Sequence, residues 1–292
     1  MKFKVIFIKI KTLLLLVLII AIFLLLIAFL GRSKSGTSVF NSNEEKGIKA
    51  DLTGDGKKDL IDIKVLNEKY YIEIYAENKS FQLDNQDRNS FLGNYYTNWP
   101  LNLSLIDITR DKNPELFIQC AKDGVAIQHI YKYNGTDFNS ILCENNNILG
   151  LTGLSNNKTE KIYSGNKKGD KITLDNYIMV NNKLQNFDYD YKTNCFGKDT
   201  ISTLIDYIIS LPNGEKNKPA NIFYENVKGN DILAIGELSG LNNKYTFQDG
   251  FFKDIKSNTK GELSEIQWYL RFKGESLKSD DSISNYVIIV NL

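Results

Sequence analysis

Two nine-residue stretches dense in oxygen-bearing side chains, each running directly into an apolar segment, constrain this chain more than any other feature of its sequence. Residues 51–59 read Asp-Leu-Thr-Gly-Asp-Gly-Lys-Lys-Asp, and residues 107–115 read Asp-Ile-Thr-Arg-Asp-Lys-Asn-Pro-Glu. Acids therefore stand at Asp51, Asp55 and Asp59 and, in the same register, at Asp107, Asp111 and Glu115, with Thr53 and Thr109 between them. Three carboxylates this close repel one another without a cation, and alternate positions of a tight loop converge on one centre. Calcium, which takes roughly 6 to 8 oxygen ligands, fits such a set, and the carbonyl of Lys57 can add another oxygen. Gly56 stands where the first loop must turn; the second loop has Lys112 there and Pro114 just before its last acid. A single Asp- and Gly-rich turn is commonly no more than a turn. Recurrence in register is what favours the metal.

A third stretch, Gly153-Leu-Ser-Asn-Asn-Lys-Thr-Glu-Lys161, keeps the order of loop and then strand. Gly153 and Lys161 replace the outer acids, so this copy is not expected to bind calcium. The three stretches start 56 and 46 residues apart, a spacing that repeated β units use. An EF-hand is the main rival, since Asp51, Thr53, Asp55 and Gly56 match its opening and Asp62 falls at its twelfth position. Helices must flank an EF-hand loop, however, and the segment after the first loop alternates as Ile61, Ile63 and Val65. The second loop also has Ile118 at its twelfth position.

Alternation of period two runs from residue 48 to about 191. Ile61, Ile63 and Val65 share one strand face, Tyr70, Ile72 and Ile74 another, and Val125, Ile127, His129 and Tyr131 a third, with turns expected at Asn134-Gly135 and Lys168-Gly169-Asp170. Near Asp199 the period changes. Ile201, Leu204, Ile205 and Ile208 recur at helical spacing behind an expected Asp199 cap and stop before Pro212. Further strands are expected at 222–227, 232–238, 245–255, 266–272 and 286–290. The fold class is therefore mainly β: a β-repeat domain over 47–192, then a small α+β unit over 193–292.

At its acidic loops the chain resembles the FG-GAP or VCBS repeat family, in which a D-x-[DNT]-x-D-G-x-x-D loop precedes a strand and successive repeats form blades of a β-propeller. The match spans about 48–191 and is closest at the first loop. The resemblance implies calcium held by Asp51, Thr53, Asp55, Lys57 and Asp59, and by Asp107, Thr109, Asp111, Asn113 and Glu115. It also implies an extracellular binding or scaffold role. The visible repeats are too few for a full propeller, so a partial, three-bladed arrangement is expected.

The run 13–30 holds only Leu, Ile, Val, Ala and Phe, and with Thr12 and Gly31 it reaches the length of a bilayer-spanning helix. A helix packed on the surface of a domain is not apolar on every side. Lys2, Lys4, Lys9 and Lys11 precede it, which keeps residues 1–11 in the cytoplasm, with 12–31 as an uncleaved anchor and 32–46 as a polar tether. A cleaved signal peptide is the alternative, but the run is long for one and lacks an A-x-A-like site. The remainder is then extracytoplasmic. With the four cytoplasmic lysines set aside, 32 Lys and Arg face 35 Asp and Glu, a formal charge of −3. This balance, without a basic cluster, argues against nucleic acid as a partner. Of Cys120, Cys143 and Cys195, one bridge between Cys120 and Cys143 is allowed by the compartment, as are three free thiols.

His129, the only histidine, alternates with apolar neighbours and reads as structural, because no H-E-x-x-H, G-x-S-x-G or paired-cysteine spacing accompanies it. Trp99, Tyr95 and Tyr96 either cover the core or stack on a ligand, and Asp188 to Tyr191 form an acidic and aromatic cluster. The leading expectation is a non-enzymatic, calcium-braced module that binds a cell-envelope polymer or another surface protein. The alternative is a hydrolase whose acids come from Glu225, Asp231, Glu237, Asp249 and Asp254, and a third is a tethered subunit that docks on a partner protein.

Overall fold

Short alternating runs bounded by Asn, Asp and Gly fold into antiparallel meanders. In the first, β2 (Ile48–Ala50) leads through a loop to β3 (Asp59–Leu66), β4 (Lys69–Ala76) and β5 (Lys79–Gln82). The two-residue turns Asn67-Glu68 and Glu77-Asn78 have positive φ throughout, the twist that suits a tight hairpin. A second meander comprises β7 (Asn102–Ile106), β8 (Glu115–Lys122), β9 (Val125–Tyr133) and β10 (Phe138–Glu144). Its expected turn at Asn134-Gly135 is present, with Asn134 Oδ1 accepting the N–H groups of Thr136 and Asp137. A third comprises β11 (Ile148–Thr152), β12 (Lys161–Lys168), β13 (Lys171–Val180) and β14 (Lys183–Asn186), with Gly169 turning between β12 and β13 as expected.

The computed structural model describes residues 38–41, 47–84, 91–156, 158–187, 195–214, 219, 236–278 and 282–292. The segment 12–31, the cluster at 188–191, Glu225 and Asp231 lie outside them. Residues 37–292 form one compact unit. Among the described residues, no helix is long and apolar enough to cross a membrane.

The protein is mainly β, with two sheets. Strand β1 (Ser38–Asn41) pairs with β7, and the two-residue β6 (Gly93–Asn94) links β4 to β8, so that the first two meanders share a ten-stranded sheet. The third belongs to a seven-stranded sheet completed by β15 (Asn243–Ser257), β16 (Leu263–Ser276) and β17 (Ile283–Asn291). Strand β15 runs parallel to β11, and Gly150 lies against the ring of Phe252, where an added Cβ would come within 2.0 Å. The second sheet thus draws strands from both sides of residue 192, and the break in sheet pairing falls between β10 and β11.

Helix α1 (Lys198–Ser210) buries Ile201, Leu204, Ile205 and Ile208 against this second sheet, the face expected from their spacing. Its cap differs from expectation. The chain enters through left-handed Phe196 and Gly197, so Gly197 is the cap and Asp199 lies within the first turn, where its charge faces the positive end of the helix dipole. Residues 236–238, expected as the end of a strand, are helical.

One hydrophobic core joins Ile106, Phe117, Ile130 and Leu142 to Leu149, Ile162 and Phe251 across the two sheets. Burial on both faces is the consequence for β8 and β9, including Gln119, Gln128, His129 and Lys132. Cys120 and Cys143 are not bridged to each other. They sit on β8 and β10 with β9 between, and two strand spacings of about 4.8 Å each exceed the reach of a disulfide.

Candidate metal centre

The first loop is tied by its own carboxylates. Asp51 accepts the N–H of Gly54 at 2.7 Å and of Gly56 at 2.9 Å, one on each oxygen, and Asp55 accepts the N–H of Lys57 at 2.7 Å. Asp59, at the start of β3, reaches back to the N–H of Leu52 at 2.7 Å and of Thr53 at 3.2 Å, with the Thr53 hydroxyl 3.4 Å away. Gly54 and Gly56 both hold a positive φ, which an L side chain would strain. Burial pushes the Asp59 carboxyl up; the bonds from Leu52 and Thr53 oppose this, and the charges of Asp51 and Asp55 reinforce it. Among the described residues, the one ion pair on these acids joins Asp55 to Lys57 at 3.8 Å, with the lysine 85% exposed.

The second loop repeats four of these bonds at matching positions, while Asp107 Oδ1, the counterpart of the oxygen that accepts from Gly54, is buried without a partner among the described residues. Asp107 accepts the N–H of Lys112 at 2.9 Å, Asp111 that of Asn113 at 2.9 Å, and Glu115, at the start of β8, that of Ile108 at 2.9 Å. Thr109 donates to Glu115 at 3.1 Å. One partner has no counterpart in the first loop. Lys132, from β9, donates to Thr109 Oγ1 at 3.2 Å, Asp111 Oδ2 at 2.9 Å and Glu115 Oε1 at 2.8 Å. Burial opposes the charge on Lys132, but its bonds to Glu115 and Asp111 outweigh this and raise its pKa.

The three loops lie in series. Gly54 packs so closely on the Asn113 side chain that an added Cβ would stand 2.4 Å from Asn113 Oδ1. Arg110, from the second loop, donates to the carbonyls of Gly153, Asn156 and Lys158 at 2.7 to 3.0 Å and pairs with Glu160, so a guanidinium fills the third. Strands precede and follow each loop, which removes the EF-hand alternative. Among the described residues, no group of three or more His, Cys, Asp or Glu side chains is gathered tightly enough to hold a metal ion as it stands. In both loops the acids bind main-chain N–H groups, which leaves each carboxylate further lone pairs for a cation.

Asp249 forms a two-point pair with Arg271, at 2.6 Å for both bonds, and accepts the indole N–H of Trp99 at 2.6 Å. Asp254 accepts the N–H groups of Leu154 and Ser155 and the Ser155 hydroxyl. Of the acids proposed for hydrolysis, Asp249 and Asp254 are thus committed to holding loops on the second sheet, and Glu237 is exposed. His129 is fully buried against Tyr131, with Nε2 bonded to the Leu92 carbonyl at 2.8 Å. Trp268 lies in the core and donates to the Phe196 carbonyl.

Lys132 and Arg110 are the residues that loop spacing alone does not reveal. A signal for Lys132 exists in the turn Asp123-Gly124, whose two residues set the hairpin register and so bring Glu115 and Lys132 opposite each other. Comparison with protein-family models and with curated proteins gives no match.

Proposed function

We propose that this chain is a membrane-tethered, non-catalytic module on the outer side of the membrane, whose first acidic loop takes a calcium ion that braces the meanders. The observation that carries the reading is the first loop itself: Asp51, Asp55 and Asp59 share nine residues of backbone with no buried cation among the described residues. The Asp51, Asp55 and Asp59 carboxylates, the Thr53 hydroxyl and the Lys57 carbonyl would hold the ion, a hard oxygen set suited to calcium. The same order of strand, eight-residue link and hairpin in all three meanders supports kinship with FG-GAP or VCBS repeats in a partial, propeller-like arrangement. The apolar run 12–31 supports a single-pass anchor with residues 1–11 in the cytoplasm.

For the ligand, a cleft of about 460 Å³ between the sheets is lined by Tyr96, Trp99 and Phe247 beside the amides of Asn145, Asn147 and Gln248. Ring faces next to neutral amides suit a polyol such as a cell-envelope polysaccharide. Calorimetry of the full chain in detergent tests the calcium reading. At about 100 times the dissociation constant, calcium adds about 2.7 kcal/mol of stability, a rise in Tm of about 5–10 °C over chelator for a unit this size. Asp59→Asn is expected to abolish that rise, and a wild-type Tm indifferent to calcium would remove the reading.

A further inference from the structure

Hairpin register makes the first two loops directly comparable. In the first hairpin the last paired row is Leu60 with Tyr75, and one row further Asp59 stands opposite Ala76. In the second it is Leu116 with Tyr131, and one row further Glu115 stands opposite Lys132. Ala76 and Lys132 are therefore equivalent positions, each aimed from the neighbouring strand at the last acid of its loop.

Lys132 uses that position fully. Its three ammonium protons meet three oxygens at 2.8 to 3.2 Å, from Thr109, Asp111 and Glu115, and its side chain is only 8% exposed. Thr53, Asp55 and Asp59 are the matching residues of the first loop. A calcium ion would need to approach the same oxygens to about 2.3–2.6 Å, so ammonium and metal exclude each other by volume and by charge. The Ala76 side chain ends at a methyl group, no Lys or Arg among the described residues pairs with Asp59, and a cleft of about 600 Å³ opens onto Asp55, Asp59, Ala76 and Glu77. Exposed Lys57, Lys58 and Lys79 also line this cleft.

We propose that the second loop carries its own covalently attached cation, the Lys132 ammonium, and that the chain consequently takes one divalent ion, in the first loop, where Ala76 leaves the position free. The second half of this statement rests on the calcium reading of the first loop; the first half does not. The second loop then keeps its shape at any calcium concentration, while the first responds to it. Arg110 gives the third loop the same independence, by a guanidinium on main-chain carbonyls.

Equilibrium calcium binding to the full chain is the test. Wild type is expected to bind one ion, Lys132→Met two and Ala76→Lys none. Two ions on wild type, or no gain in a folded Lys132→Met protein, would overturn the proposal. No ion on wild type with one on Lys132→Met would keep the lysine assignment and remove calcium from the first loop. Should Lys132→Met fail to fold, amide exchange on wild type decides. Chelation is expected to speed exchange of the Gly54 and Gly56 N–H groups about tenfold or more and to leave Ile108 and Lys112 unchanged. A calcium response at Ile108 and Lys112 would overturn it.

Discussion

His129 shows how a titratable side chain can be purely structural. Its Nε2–H donates to the Leu92 carbonyl, while Nδ1 is buried without an acceptor among the described residues, so a second ring proton would have none of them to bond. Burial holds its pKa down at about 4, against an ordinary 6.5. The unfolded chain therefore binds this proton first as pH falls, and the stability present above pH 6.5 is lost between pH 6.5 and about 4, by about 3 kcal/mol in all. Urea unfolding at pH 7 and pH 4.5 should show a smaller loss for His129→Gln than for wild type; equal losses would mean that another group titrates in this window. Cys120 follows the same logic, its buried thiol pushed up to about 12. Iodoacetamide at pH 8 should leave it unmodified in the native protein and alkylate it in urea.

Among the elements, β15 and β16 carry the most demanding polar contact. The Asp249–Arg271 pair is nearly buried, and Arg271 also donates to the Pro100 carbonyl while Trp99 donates to Asp249. Removing one partner strands the other charge, so Arg271→Met is expected to cost about 3–5 kcal/mol in urea unfolding. A loss below about 1 kcal/mol would show that water satisfies Asp249 instead. Much of the element level was legible. Turns at Asn134-Gly135 and Gly169, the apolar face of α1 and the strands after each acidic loop follow from period and turn chemistry. The burial of Gln119, Gln128 and Lys132 does not, because alternation reports one covered face, and the second face of β8 and β9 is covered by a sheet distant in sequence. For the same reason Cys120 and Cys143 looked bridgeable until the strand between them was placed. The loop acids were legible as a set, but their cation was not, since Lys132 comes from the strand after next in the meander.

At the scale of the whole molecule, three loops stand in series with three different fillings: acids alone, acids around an ammonium, and carbonyls around a guanidinium. On the proposed reading one of the three is left open to the medium, and a calcium change would act on the first meander, which β6 couples to the second. If the aromatic and amide cleft holds a cell-envelope polysaccharide, Tyr96→Ala should reduce co-sedimentation with that polymer about tenfold, while unchanged sedimentation would move the ligand elsewhere. The most direct measurement is a crystal structure grown in saturating calcium. It should show a single ion in the first loop, about 2.3–2.6 Å from Asp51, Asp55, Asp59 and the Lys57 carbonyl, with Lys132 still seated among Thr109, Asp111 and Glu115. Density for an ion in the second loop, or only water among the acids of the first, would contradict the account.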